Sequence, residues 1–373
     1  MPTDKKLVEE LLASAGIQTD GGNPYDIKVN DARFYRRLIE NGSLGVGEAY
    51  MEGWWDCDDL QELFNRVLRT GLDKHIRQNS LKYLMFGLRA KLFNQQSRHK
   101  SKRVAKQHYD LGNHLYELML DKYMMYSCGY WKDADNLDEA QEHKLDLICR
   151  KLKLRPGLKV LDIGCGWGGF AKYAAEKYQV KVTGITLSVE QANLAVEKCE
   201  GLDVTIRVQD YRDLDETFDR IVSIGMFEHV GYKNHRRFME ICSKCLDRKG
   251  IFLLHTIGAN DGDQQSTDPW INKYIFPGGV LPGACQIARS IEQIFLLEDW
   301  HNFGYDYETT LQAWLANFKA HLSDFEAHLG RSGTRMWEYY LATCAAAFNS
   351  RKIGLWQVVL RHPTGSGKYI SER

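Results

Sequence analysis

Asp162, Gly164, Gly166, Gly168 and Gly169 lie in one stretch, Val160-Leu161-Asp162-Ile163-Gly164-Cys165-Gly166-Trp167-Gly168-Gly169. It reads as a buried strand that stops at a glycine-rich turn and runs straight into a helix. Glycine lacks a Cβ and tolerates φ > 0, so such a turn brings backbone N–H groups close to a ligand. The chemistry served is the holding of a nucleotide-type cofactor at the edge of a doubly wound α/β sheet. Gly164, Gly166 and Gly169 fit G-x-G-x-x-G, the dinucleotide pattern. That pattern also wants an acid about 20 residues on, at the end of the second strand, for the ribose. Here the second strand ends Gly184-Ile185-Thr186-Leu187-Ser188, with no acid.

Asp162 stands two residues before Gly164 and completes D-x-G-x-G-x-G, which resembles the first motif of class I S-adenosylmethionine methyltransferases. Its carboxylate can orient the turn and reach the amino-acid moiety of the cofactor. Val208-Gln209-Asp210-Tyr211 ends the third strand, where Gln209 and Asp210 can meet the adenine. Asp210 suits either the adenine amino group or a cap on the next turn. With no acid after strand two, Thr186 and Gln191 are the candidates for the ribose. S-adenosylmethionine is therefore favoured over NAD.

The elements around these residues alternate. Strands are expected at Lys159–Ile163, Lys181–Ile185, Val204–Val208, Arg220–Ile224 and Ile251–Thr256. Helices are expected at Gly168–Lys177, Glu190–Cys199 and around Asn234–Leu246. Later helices cover Leu311–Leu322 and Thr334–Asn349, and Leu355–Leu360 reads as a closing strand. Strands alternating with helices imply a mainly parallel sheet. Residues 1–93 look mainly helical, from Lys6–Ala15 and Asp31–Glu40 to a helix that Asp58 or Asp59 caps. Three parts are expected: a helical N-terminal domain 1–93, a basic linker 94–107 and a catalytic domain 108–373.

The 373 residues are 44% hydrophobic and 26% charged, an ordinary globular composition. The N-terminus leads into a mixed-charge helix and not a signal-peptide core, so a cytoplasmic location is expected. Nine cysteines at irregular spacing argue against a disulfide framework. Cys242-Ser243-Lys244-Cys245 is a lone C-x-x-C in a helical pattern, without the second pair a zinc site needs, so no metal is expected. The zero net charge conceals ten Lys or Arg and no Asp or Glu between Lys74 and Lys106. Ser80–Phe93 mixes apolar residues with Lys82, Arg89 and Lys91, which suits either a helix in an anionic membrane interface or packing against the N-terminal helices.

Further segments carry a family likeness. They are Tyr126-Ser127-Cys128-Gly129-Tyr130-Trp131, Gly225-Met226-Phe227-Glu228-His229-Val230-Gly231, His255-Thr256-Ile257-Gly258, Trp270-Ile271-Asn272-Lys273-Tyr274-Ile275-Phe276-Pro277 and Trp300-His301-Asn302-Phe303-Gly304. With the glycine turn and Gly53-Trp54-Trp55, the chain closely resembles bacterial cyclopropane-fatty-acyl-phospholipid synthases, relatives of the mycolic acid cyclopropane synthases.

The resemblance implies methyl transfer from S-adenosylmethionine to a cis double bond of a membrane phospholipid, then proton loss and ring closure. It implies bicarbonate as the base, held by Cys128, Glu228, His255, Ile257 and Tyr307, with Cys128 and Ile257 giving backbone groups. It places Tyr126 and Ser127 on the cofactor and matches Cys344 to a cysteine often assigned to the active site. Cys344 has no basic neighbour in sequence, so it is expected to line or support the site and not to react. Tyr126, Tyr130, Trp131, Phe227, Tyr274, Phe276, Phe303 and Tyr307 are candidates for shielding a carbocation. The expected partners are unsaturated phospholipid, an anionic membrane surface at the inner face of the cell membrane, and a second copy of the chain. No nucleic acid is expected. A methyltransferase of soluble substrates and a membrane-binding protein with a degenerate enzyme domain fit the residues less well.

Overall fold

The computed structural model describes residues 2–73, 112–260, 262, 267–365 and 367–373. The expected linker at 94–107, the basic run Lys74–Lys106 and the interfacial segment Ser80–Phe93 lie outside them. The chain forms two compact units. One draws on Met1–Asn94, Gln265–Gly278 and Leu311–Ile353, the other on Gln95–Gln264, Gly279–Thr310 and Gly354–Arg373.

The first unit is built from helices α1 (Pro2–Ala13), α2 (Arg33–Met51) and α3 (Leu60–Arg69). A short antiparallel pair, β1 (Lys28–Val29) with β2 (Trp55–Asp56), departs from the all-helical reading among the described residues. Asp59 caps α3 by accepting the Glu62 N–H, as its position before an apolar run predicts. The compact units depart from a division by chain order into 1–93 and 108–373. The apolar face of α2 and β2 is completed by residues from far along the chain, because three short helices bury too little surface alone. Tyr339 tilts against Tyr50 at 5.6 Å and Trp270 at 4.5 Å and meets Phe64 edge-to-face at 5.1 Å.

Arg335 ties this unit together. Its Nε donates to Tyr50 O at 2.5 Å, its Nη2 donates to Trp55 O at 2.9 Å, and the same nitrogen pairs with Asp56 at 2.7 Å. Its guanidinium lies 3.8 Å from the Tyr50 ring centroid. Arg335→Ala removes one donor each from Tyr50 O and Trp55 O and the cation from Asp56; Tyr50 O keeps the Gly53 N–H and Asp56 keeps Asn30 Nδ2. Charge-assisted bonds contribute about 1.5–3 kcal/mol each before overlap. The variant is expected to lose about 2–4 kcal/mol in denaturant unfolding, and a loss near zero would refute the strut.

The second unit is a seven-stranded sheet in the order β5-β4-β3-β6-β7-β9-β8. Its strands are β3 (Lys159–Ile163), β4 (Lys181–Thr186), β5 (Val204–Val208), β6 (Phe218–Ile224), β7 (Leu246–Ala259), β8 (Leu296–Asn302) and β9 (Ile353–Arg361). β3 pairs in parallel with β4 and β6, and β6 in parallel with β7. Helices α4 (Asn113–Met119), α5 (Leu137–Lys151), α6 (Gly169–Tyr178), α7 (Val189–Lys198), α8 (His235–Cys245) and α10 (Ala284–Ile291) belong to this unit, while α9 (Pro269–Tyr274) belongs to the first. Helix α11 (Tyr305–Ala320) has its first turns in the second unit, and α12 (Leu322–Asn349) lies in the first. Among the described residues no helix is long and apolar enough to cross a membrane.

The expected elements of the sheet are present within a few residues. The exception is the edge. The closing strand expected at Leu355–Leu360 is present as β9, the last in the chain, and it lies inside the sheet between β7 and β8, buried along nearly its whole length. The edge is β8, antiparallel to β9, whose Leu296-Leu297-Glu298-Asp299-Trp300 lacks the apolar alternation that marks a strand. The helix expected at Thr334–Asn349 begins upstream, at Leu322, and is interrupted at Gly330, where φ is +66°. Cys242 and Cys245 sit in the hydrophobic core, and all nine cysteines are free.

Candidate active site

The sheet order reverses at β3, which is flanked by β4 on one side and β6 on the other. Ligands of open α/β sheets bind outside the carboxyl ends of the strands at such a reversal. Two glycine turns meet there. Gly164 follows β3 with φ +85°, and Gly225 follows β6 with φ +65°. A Cβ placed on Gly164 would come within 2.7 Å of Met226 Cγ, and one on Gly225 within 4.0 Å of Ser127 Cβ. A Cβ on Gly168 would meet Ala195 Cβ at 3.1 Å, so that glycine serves close packing of the turn on α7. A Cβ on Gly166 would find only Gln191 Nε2, at 3.9 Å. The Gly164 turn, the Gly225 turn and the Ser127 loop thus converge.

Asp162, the last residue but one of β3, is buried, and its Oδ2 has no partner. Burial pushes its pKa up to about 7, against the pull of Lys144. At the end of β4, Thr186 Oγ1 donates to Gln191 Oε1 at 3.0 Å, which orients the amide where an acid would stand in a dinucleotide site. Of the two roles left open for Asp210, this structure displays the cap: it accepts the Arg212 N–H at 3.0 Å and pairs with the Arg212 guanidinium at 2.8 Å. Gln209 is turned to Asp213 O at 3.1 Å. Tyr126 packs edge-on against Tyr116, which in turn tilts against Trp167 of the glycine turn.

A second group of residues gathers at the ends of β6 and β7, where Ile224 pairs with His255. Glu228 is buried in the turn after β6. Its Oε1 accepts the Ile257 N–H at 2.7 Å, and its Oε2 is buried without a partner. Burial pushes its pKa up to about 7. His255 is buried on β7, and burial followed by the charges of Lys144 and Lys151 holds its pKa well below the usual value. Gln357 Nε2 lies 3.2 Å from His255 Nδ1 and donates to it as placed, which leaves the ring proton on Nε2. That Nε2 has no partner.

Two buried polar atoms therefore lack partners near the same strand ends. Cys128 is fully buried, and burial raises its thiol pKa strongly, so the neutral side chain leaves its backbone as the useful group. Tyr307 is buried on the first turn of α11. That turn is stapled to the Cys128 loop, because Thr310 Oγ1 accepts the Gly129 N–H at 3.0 Å and Asp306 accepts the Trp131 N–H at 2.8 Å.

One expected residue goes elsewhere. Phe227 is fully buried and stacks on His235 at 4.2 Å, so it belongs to the core and not to a cation-shielding wall. Tyr274 and Phe276 belong to the first unit. Phe303 remains by the site, packed edge-on against His255 at 6.1 Å and Tyr130 at 5.2 Å. Cys344 lies on α12 in the first unit, and burial pushes its thiol up to about 12. Several participants had not been singled out: Asp121, Gln141, Lys144, Thr310 and Gln357. For two of them a signal existed, since Gln141 and Lys144 occupy the apolar face marked by Leu137, Ala140, Leu145 and Ile148.

A family model described as mycolic acid cyclopropane synthetase matches residues 95–358. The chain is 52% identical over 366 residues to the cyclopropane-fatty-acyl-phospholipid synthase of Escherichia coli (strain K12), covering 98% of this chain and 95% of that protein. The cyclopropane synthase MmaA2 of Mycobacterium tuberculosis superposes with a TM-score of 0.65 at 31% identity, covering 69% of this chain and 97% of that one. The mycolic acid cyclopropane synthase CmaA1, solved with SAH and CTAB, gives 0.65 at 32% identity over 69% and 97% of the two chains. The sheet is that of class I S-adenosylmethionine-dependent methyltransferases, and with these matches the chain belongs to the cyclopropane synthase family.

Proposed function

We propose that this chain transfers the methyl carbon of S-adenosyl-L-methionine to the cis double bond of an unsaturated acyl chain in a membrane phospholipid. The products are a cyclopropane fatty acyl phospholipid and S-adenosyl-L-homocysteine. The observation that carries the chemistry is the pair of buried, partnerless atoms, Glu228 Oε2 and His255 Nε2, beside the converging glycine turns. An alkene is a weak nucleophile, so the sulfonium methyl must be held in line with it. Attack forms the C–C bond, breaks the S–CH₃ bond and leaves a carbocation on the acyl chain. Loss of a proton from the new methyl closes the ring. Tyr130 and Phe303 offer ring faces that exclude water from the cation.

The residues fit bicarbonate as the proton acceptor, because a carboxyl beside an anion needs a shared proton, and burial favours the protonated form of Glu228. Glu228, His255, Tyr307 and the backbone of Cys128 would hold it, whereas the Ile257 N–H, expected as a further donor, is already given to Glu228 Oε1. When bound, bicarbonate supplies the oxygen base that takes the methyl proton. Glu228 holds a proton toward it, and neutral His255 offers its Nε2 hydrogen.

The test is incubation with methyl-labelled S-adenosylmethionine and vesicles of unsaturated phospholipid, followed by fatty-acid analysis. Label in a chain one CH₂ heavier, with the alkene replaced by a ring, is the expected result. A methyl-branched product would keep the transfer and refute the proton step. Depleting bicarbonate should lower turnover, and adding it back should restore it. Cys344→Ser is expected to keep turnover within about threefold, since a thiol whose pKa is raised to about 12 is no nucleophile near neutral pH. Abolished turnover with intact cofactor affinity would assign Cys344 a direct part.

The 1–93 segment and the basic run, on this reading, dock the enzyme peripherally on the anionic inner face of the membrane as part of a homodimer. Each Lys or Arg near the surface adds about 1 kcal/mol, screened by salt. Flotation with anionic vesicles should weaken as salt rises, and salt-independent binding would contradict this mode. Sedimentation equilibrium checks the dimer.

A further inference from the structure

Beneath the glycine turn lies a charged side chain for which the steps above have no task. Lys144 is fully buried on the inward face of α5. Burying an ammonium costs several kcal/mol, and an apolar residue would fill the position more cheaply. Its Nζ donates to Ser127 Oγ at 2.8 Å. One turn back on the same face, Gln141 Nε2 donates to Ser127 O at 2.8 Å. Asp121 accepts the N–H groups of Tyr123 and Met125, each at 2.8 Å, and fixes the loop that leads to Ser127. The Ser127 main chain and hydroxyl are thus both set from α5.

Two consequences follow for a ligand. Ser127 Oγ accepts from Lys144, so its own O–H is the donor left over. Lys144 also acts electrostatically on Asp162, whose buried Oδ2 has no partner. A hydroxyl donor left over beside the Lys144 ammonium and a free carboxylate acceptor within its field match the two ends of a zwitterionic α-amino acid.

We propose that Lys144 is a positioning residue for the amino-acid end of S-adenosylmethionine, fixing the Ser127 hydroxyl as donor to the ligand carboxylate and keeping Asp162 as acceptor for the ligand ammonium. This rests on the cofactor reading above. It assigns Lys144 to the cofactor's polar tail and not to its adenosine.

Calorimetric titration with two ligands tests it. S-adenosylhomocysteine carries the amino-acid end, and 5′-methylthioadenosine lacks it. For Lys144→Met the expected result is a loss of about tenfold or more in S-adenosylhomocysteine affinity, about 1.4 kcal/mol, with 5′-methylthioadenosine affinity within about twofold of wild type. Ser127→Ala should show the same selectivity, and it carries the test if Lys144→Met does not fold. Added to Lys144→Met, it should cost little more, since Lys144→Met already disturbs the Ser127 contact. Equal loss of both ligands, or unchanged S-adenosylhomocysteine affinity, overturns the proposal. Wild-type protein that binds neither ligand removes the cofactor reading itself, and this inference with it.

Discussion

Glu228→Gln is expected to lower turnover by about 10²–10⁴-fold, the range for a lost proton-transfer partner, while S-adenosylhomocysteine affinity stays unchanged. The substitution keeps the shape of the site. A glutamine Oε1 can still accept the Ile257 N–H that Glu228 accepts at 2.7 Å. What it loses is the proton that Oε2 can gain or give. Loss of S-adenosylhomocysteine binding instead would move Glu228 from the reacting centre to the cofactor.

The same variant has a stability signature. Burial raises the Glu228 pKa from 4.5 to about 7, so the folded state holds more protons than the unfolded state between those values. Stability therefore falls as pH rises through that window. Thermal melts of ligand-free protein at about pH 5 and about pH 8 should show Glu228→Gln gaining on wild type at the higher pH. Asp162, also raised by burial to about 7, leaves a residual slope of the same sign in the variant.

Gly164→Ala is expected to lower S-adenosylhomocysteine affinity by about 10²-fold or more. Its φ of +85° lies in the left-handed region, which costs a residue with a Cβ about 1–2 kcal/mol. The new Cβ would also come within 2.7 Å of Met226 Cγ and 2.8 Å of Met226 Cβ, and overpacking of this kind costs about 1–3 kcal/mol. The turn relieves both by moving against the Gly164 and Cys165 N–H bonds to Ile185 O, and the surface it offers the cofactor shifts with it. Gly157→Ala is the control. Its φ of +83° is equally strained, but nothing lies within 4 Å of the added Cβ and it precedes β3. It should cost stability without changing affinity. Equal loss of affinity in both variants would trace the effect to general destabilisation.

The sheet was legible where strands are short, apolar and bounded by turns, as at Leu161 and Ile163 in β3 or Val182 and Ile185 in β4. It was not legible at β8, because an edge strand beside a buried β9 needs no apolar alternation of its own. The division into units was illegible for a related reason. Trp270 and Tyr339 read as ordinary aromatics in sequence, and only packing assigns them to the same core as Tyr50.

Residue types alone were enough for the glycine turn with Asp162, the absence of an acid after the second strand and the strand–helix alternation from β3 to β7. These depend on neighbours along the chain, and local backbone sterics and side-chain type suffice to express them. The family likeness further singled out Glu228, His255, Ile257 and Tyr307. Which of these groups keeps a free hydrogen-bonding atom was set by packing from distant elements. Ile257 N–H is taken by Glu228, His255 Nδ1 by Gln357, and the Ser127 hydroxyl is turned by Lys144. The same holds for Phe227, which stacks on His235 in the core although it adjoins Glu228 in sequence. Whether a buried polar atom is satisfied depends on what packs against it from distant elements, and no local pattern encodes that.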